Sequence, residues 1–218
     1  MTTTEMINAF TVGYDIANLE GPGYEDDEIL IFLNKAQIIE VLKEVGIKRW
    51  SYISNLIENE TGATNPAAHE FSHSLFYTPS HDYLAYISSK SYVSRSDYKE
   101  VNYEWIGNRL INKDVSHKYV TNALNKPIIL EPCVYEEEDG TIAIIHDQET
   151  TFSNQNDFYL EYVRYPVQIT SVVDCELNEI PMHERIVNTA INFAKGVFNA
   201  NEQAILAQAD RIIKQPEL

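Results

Sequence analysis

Basic residues and cysteines are both scarce in this chain. Of its 218 residues, 16 are Lys or Arg against 33 Asp or Glu, leaving a formal charge of −17. A sequence-reading DNA binder needs a basic footprint, and so does docking on anionic lipid, so the balance argues against both. The same charge favours solubility and repels polyanions. Two cysteines, Cys133 and Cys175, cannot build a disulfide framework or a four-cysteine metal site, and they point to a reducing compartment. The opening Met1-Thr2-Thr3-Thr4-Glu5 lacks the basic and apolar regions of a secretory signal. No apolar run approaches the roughly 20 residues that span a bilayer. The chain has no repeat of fixed period and no low-complexity tract. P-loop, G-x-G-x-x-G and G-x-S-x-G motifs are also missing.

The charge is unevenly placed. No Lys or Arg precedes Lys35, and none lies between Lys126 and Arg164, a stretch holding Glu136, Glu137, Glu138 and Asp139. That run reads either as a solvated loop or as a surface selected to be negative. Apolar residues make up 44%, which is ordinary for a globular protein of this length.

Local patterns predict helices, then strands, then a helix. Thr2 and Glu5 have capping-box spacing ahead of Met6, Phe10 and Tyr14, and Gly21-Pro22-Gly23 stops that helix. Glu25-Asp26-Asp27-Glu28 suits the positive end of a second helix, with Ile29, Phe32, Leu33, Ala36 and Ile39 as its apolar stripe and Gly46 as its C-cap. A short third helix is expected around Trp50, Ile53, Leu56 and Ile57, fading into a loop over residues 60–66. From residue 74 the period shortens. Residues 75–77, 83–87, 91–93 and 158–163 read as strands, residues 127–135 as another, and Glu138-Asp139-Gly140 as a hairpin turn before residues 142–145. Residues 103–124 read as loop with a short helix. Pro181 opens a helix striped by Ile186, Val187, Ala190, Ile191, Ala194, Val197 and Phe198. The expected fold is α+β, with N-terminal helices, a β-rich antiparallel middle and a long C-terminal helix. Residues 1–198 are expected as a single domain (helical 1–60, β-rich 74–166, closing helix 181–198), with 199–218 as a helical extension.

One motif carries chemistry. His69-Glu70-Phe71-Ser72-His73 fits H-E-x-x-H, which on a helix places two zinc ligands on one face with Glu70 as the base of a hydrolase or protease. Its context disagrees. Pro66 lies three residues upstream, Phe76 and Pro79 stand where a metzincin has Gly and His, and the next carboxylates fall in expected strand or loop. Two surface histidines at a loop-to-strand junction is the competing reading. Cys175, flanked by Asp174 and Glu176, is a poor thiolate, so pairing with His183 as nucleophile and base is not expected. The 14 tyrosines, clustered over residues 77–165, suit interfaces as well as cores. No catalytic, cofactor or metal residue is therefore assigned, and the chain is not expected to be an enzyme.

Several segments taken in order resemble a known family. They are residues 10–14, Gly21-Pro22-Gly23-Tyr24, residues 28–37, Leu75-Phe76-Tyr77-Thr78-Pro79, residues 159–166, and Asp174-Cys175-Glu176-Leu177-Asn178-Glu179-Ile180-Pro181-Met182-His183 with the helix after it. Together they cover about half the chain and resemble a virion structural protein of crAss-like tailed phages of Bacteroidales. The resemblance implies a ring or head–tail adaptor protein of the portal–tail region. Such proteins form closed rings, often twelvefold, that extend the portal channel and join it to the tail. Its implied partners are copies of itself, the portal protein, adjacent tail proteins, and packaged DNA passing through without sequence-specific binding. It implies a place in the virion neck, with assembly in the host bacterial cytoplasm and no membrane. It carries no catalytic residues. The acidic hairpin at 136–139 and the tail after Asn199 lie outside it. An acidic lumen would not grip phosphates, so one of the two basic-free stretches, 1–34 or 127–163, is expected to face the channel or a basic partner.

Overall fold

The computed structural model describes residues 1–17, 23–65, 74–80, 82–95, 103–116, 131–137, 139–147, 150–152 and 156–196. It is α+β, and the residues expected as one domain divide into two compact units. A helical unit comprises Met1–Leu56 and Tyr165–Leu218, and a sheet unit comprises Ile57–Arg164.

The helical unit contains α1 (Thr3–Ala17), α2 (Asp26–Gly46), a 3-10 helix (Trp50–Leu56) and α3 (Ile180–Ala194). Two capping boxes set the starts of α1 and α2. The Thr2 amide donates to Glu5 Oε2 at 2.8 Å and the Glu5 amide to Thr2 Oγ1 at 3.3 Å, while the Glu25 amide donates to Glu28 Oε2 at 3.0 Å. Residues 36–41 of α2 are all buried, polar Gln37 and Glu40 included. A helix enclosed on so many sides must pack between other elements. α3 packs against both α1 and α2.

Three expectations fail here. Gly46 ends α2, but the cap is Ile47, and it is Lys48 that takes the left-handed conformation at φ 55. The third helix is a 3-10 turn, and Ile57 already belongs to a strand. The closing helix stops at Ala194, short of residue 198. Gly196 adopts φ 67, and the Lys195 and Gly196 amides cap the Ile191 and Phe193 carbonyls at 3.1 and 2.9 Å. Glycine escapes the Cβ clash of that conformation, so the helix ends where its sequence lets it turn. Residues 197–218, with the expected extension, lie outside the described residues.

The sheet unit holds two sheets. The larger has the order β1 (Ile57–Gly62), β9 (Phe158–Arg164), β3 (Tyr83–Arg95), β4 (Glu104–Gly107), with β8 (Thr150–Phe152) also on β3. The smaller runs β2 (Ser74–Tyr77), β7 (Ile142–Ile145), β6 (Cys133–Glu136), β5 (Arg109–Leu110). Pairing is antiparallel throughout the named ladders except β5 with β6. Tyr77, Val134, Ile142, Ile144, Phe158, Leu160 and Tyr162 form the core shared by the two sheets. The smaller sheet buries its other face too, through Cys133, Tyr135, Ala143, Ile145 and Ile111. That is why residues 142–145 are apolar without alternation.

The loop expected over residues 60–66 is partly β1. Its Glu58, Asn59 and Glu60 look unlike a strand, but β1 is the outer strand of its ladder, where polar side chains are tolerated. Gly62 gives way to the Tyr77 ring, since a Cβ there would lie 2.8 Å from it. The segments at 83–87 and 91–93 are one strand, with register shifts before Ala85 and Ser88. Ser88 and Ser89 do not break it, because Glu161 accepts from Ser88 Oγ at 2.8 Å, and Ser89 Oγ is held by Asn108 at 2.8 Å and Tyr86 at 2.9 Å. Residues 103–116 contain β4, β5 and a 3-10 turn (Lys113–Val115) rather than mostly loop. Of the strand expected at 127–135, only its end, in β6, is described.

Candidate functional site

His69, Glu70 and His73 lie outside the described residues, as do His81 and His117. Among the described residues no group of three or more His, Cys, Asp or Glu could hold a metal ion. Nor, among them, is any helix long and apolar enough to cross a membrane.

Cys175 and His183 are both buried and each is engaged elsewhere. His183 Nδ1 meets the Met1 amine at 2.7 Å, and its Nε2 donates to the Leu177 carbonyl. Burial, and secondarily the Met1 charge, pull the imidazole below its ordinary pKa despite Asp174 and Glu5 nearby. Burial pushes the Cys175 thiol up. A neutral, doubly hydrogen-bonded imidazole and a protonated thiol make no nucleophile pair. Cys133 is likewise buried and its thiol raised, although Arg109 donates to its sulfur at 3.1 Å.

The acidic hairpin forms as expected. The Glu137 amide donates to the Thr141 carbonyl at 2.8 Å, and the Gly140 amide to the Glu137 carbonyl at 3.1 Å. Lys113 pairs with Glu137 at 2.7 Å, so part of the run is neutralised. Asp139 is held below the usual carboxylate range by the Thr141 amide at 3.0 Å. An open depression lined by Phe76, Lys113, Glu137, Asp139 and Thr141 lies beside it. The tyrosines divide between roles. Tyr135 and Tyr162 are core, whereas Tyr92 stacks between Tyr103 and the exposed Trp105, with ring centroids 5.4 and 5.1 Å apart.

Charge is sorted most sharply in the helical unit. Glu40 and Glu44, one turn apart on α2, are 2% and 0% exposed. Arg185 of α3 reaches both, with Nη2 2.6 Å from Glu40 and Nη1 on Glu44. Lys43 and Thr189 add bonds to Glu40 at 2.9 and 2.8 Å, and Arg49 faces the second Glu44 oxygen at 3.6 Å. Burial lowers the Arg185 pKa, but the two carboxylates more than reverse it and raise it overall. Three cations thus meet two carboxylates, and exposed Lys48, next to Arg49 in the chain, adds to a basic corner on an acidic protein.

Elsewhere in the same unit the opposite occurs. Residues 1–17 and 165–184 hold no Lys or Arg, and the fold joins them. The Thr3 amide donates to Asp174 at 2.6 Å and Thr3 Oγ1 to the Val173 carbonyl at 3.1 Å. The Thr3 amide and hydroxyl hold Asp174 below its ordinary pKa, keeping it charged. Sequence reasoning found the basic-free N-terminus but not these two surfaces, because residues 43–49 and 185 are ordinary until α3 folds onto α2. Compared with known proteins, the chain matches no family model and no curated sequence.

Proposed function

We propose that this chain is a structural subunit of a tailed-phage neck, assembling into a ring that extends the portal channel and joins it to the tail. The observation that carries the reading is what the family-like segments do in the fold. They make packing contacts and not a reactive cluster. Phe10 stacks on Tyr14 and on Phe32, with Tyr24 edge-on to all three, at centroid distances of 5.0–6.2 Å. Asn34 clasps Ile169 through two hydrogen bonds of 2.7 and 2.9 Å. Asp174 anchors α1, and Leu177 and Met182 are fully buried. Residues that fix a shape are what a ring subunit must keep, and the acidic surface suits a conduit that releases DNA.

Electron microscopy of virions carrying a tagged chain tests the reading. Density for a closed ring of this fold between portal and tail supports it, and absence of the chain from purified particles sinks it. Stoichiometric zinc lost on His69→Ala and His73→Ala would instead assign the hydrolase chemistry.

A further inference from the structure

Among the exposed apolar side chains of the helical unit, those of two turns sit in opposite electrostatic settings. One is the turn at residues 170–173. Its Thr170 and Val173 exchange backbone hydrogen bonds at 3.0 and 3.3 Å, and Thr170 Oγ1 accepts from the Val172 and Val173 amides at 3.4 and 3.1 Å. Thr3 ties down its far side. A turn so well bonded is rigid, and its tip would ordinarily be Gly, Asn or Asp. Here the tip is Val172, 90% exposed, followed by Val173, with Ile180 62% exposed at the start of α3. The exposed charged side chains flanking them in the chain, Asp174 and Glu179, are both negative, and the Met1 ammonium near Asp174 offsets only part of that charge.

The second feature is the end of α2. Ile47 is 59% exposed and is followed by exposed Lys48 and Arg49. Lys48 is held at φ 55, a left-handed conformation that a lysine rarely adopts. The Arg49 guanidinium lies over the Tyr52 ring, 5.5 Å from its centroid, which fixes the head of a flexible side chain. The turn is tied to α1 and the basic corner belongs to α2, and α3 packs against both helices.

We infer that the acidic apolar turn of one copy docks on the basic apolar corner of a second copy, Val172 and Val173 against Ile47 with Asp174 and Glu179 facing Lys48 and Arg49. Charge complementarity selects a second copy, because the chain carries both halves of the contact. A docked pair keeps one turn and one corner free, so a head-to-tail contact of this kind is heterologous and propagates until a ring closes. The inference rests on the ring reading only for that closure. At about 0.15 M salt the Debye length is ~8 Å, so the overall negative charge is screened between copies while charges in contact still attract.

Native mass spectrometry and sedimentation of the full chain at that ionic strength test it. Wild-type protein is expected to associate. Val172→Asp, at a position too exposed to disturb folding, should weaken association about tenfold or more, as loss of a central apolar anchor does. Lys48→Glu with Arg49→Glu should weaken it further, and adding Glu179→Lys to that pair should restore part of the loss. Circular dichroism checks that each variant is folded. A monomeric wild type overturns the inference. Oligomers indifferent to all these variants also overturn it, yet leave the ring reading standing, because other surfaces would then hold the ring. Disappearance of the chain from virions would sink the ring reading without touching a contact that the charge swap rescues.

Discussion

The two units bury polar groups in different ways. The helical unit encloses ions: Glu40 and Glu44 lie under Arg185, more than 140 residues away in sequence, with Lys43 and Arg49 at the edge. The sheet unit mostly encloses neutral groups. Ser89, Ser91 and Asn108 bond one another at 2.8 Å across β3 and the β4–β5 link. Its buried carboxylate, Asp157, is satisfied by the Thr64 amide and hydroxyl at 2.8 and 2.9 Å. Neutral networks are indifferent to pH and salt, whereas enclosed ions depend on every partner being present. The units should therefore respond differently to mutation and to acid. One tryptophan belongs to each, Trp50 to the helical unit and Trp105 to the sheet unit, so Trp→Phe variants give separate fluorescence reports.

The largest expected effect is in the sheet core. Phe158→Ala should cost about 4 kcal/mol in denaturant unfolding, read at Trp105, because Phe158 is fully buried between the sheets. Arg185→Ala should cost about 3 kcal/mol at Trp50, by stranding two buried carboxylates with only Lys43 and Arg49 left. Changing Glu40 and Glu44 to Leu and Gln in that background should recover part of the loss. No recovery would mean that Arg185 stabilises by packing and not by charge, and the contrast between units would collapse.

Gly62→Ala should cost roughly 1–3 kcal/mol, because the added methyl meets the Tyr77 ring at 2.8 Å and that ring lies in the core. Unchanged stability would show that the ring yields.

Acid gives the smallest and most selective effect. His183 has its pKa lowered on folding, so below its unfolded value of about 6.5 the unfolded chain binds a proton that the native state refuses. Stability of the helical unit should fall as pH drops from 7 to 5, and His183→Gln should flatten that slope. Asp174 acts later. Its stabilisation is present above about pH 4 and is lost as pH falls through its lowered native value. An equal fall reported by Trp105 over pH 7 to 5 would contradict the assignment to His183.

Much of the local structure was legible in the chain. Thr2 with Glu5, by capping-box spacing, and the acidic run from Glu25 to Glu28, by its fit to a helix dipole, announced two helix starts, because both signals lie within one turn. The β6–β7 hairpin and β9 were equally plain, since alternation or apolar runs bounded by turn residues need no distant partner. The misreadings share a cause. β1 looked polar because it is an outer strand, and β3 looked interrupted because Ser88 and Ser89 are satisfied by Glu161 and Asn108. Both depend on β9, whose residues lie about 70 to 100 positions further along the chain. Of the proposed docking surfaces, only the absence of basic residues from the N-terminus was readable.

Composition and interactions a few residues long were enough for the α+β class, most helix starts, the acidic hairpin and an acidic surface. The rest came from long-range packing. It made Ile57–Arg164 a compact unit of its own, and made one unit of the two stretches of chain before and after it. It paired β5 with β6 in parallel and set Arg185 between Glu40 and Glu44. It also tied α1 to the valine turn and left a basic corner at the end of α2. The contacts of Arg185 and of Thr3 with the valine turn close loops of more than a hundred residues, and the β5–β6 pairing closes one of 24, so no local pattern of side chains encodes them.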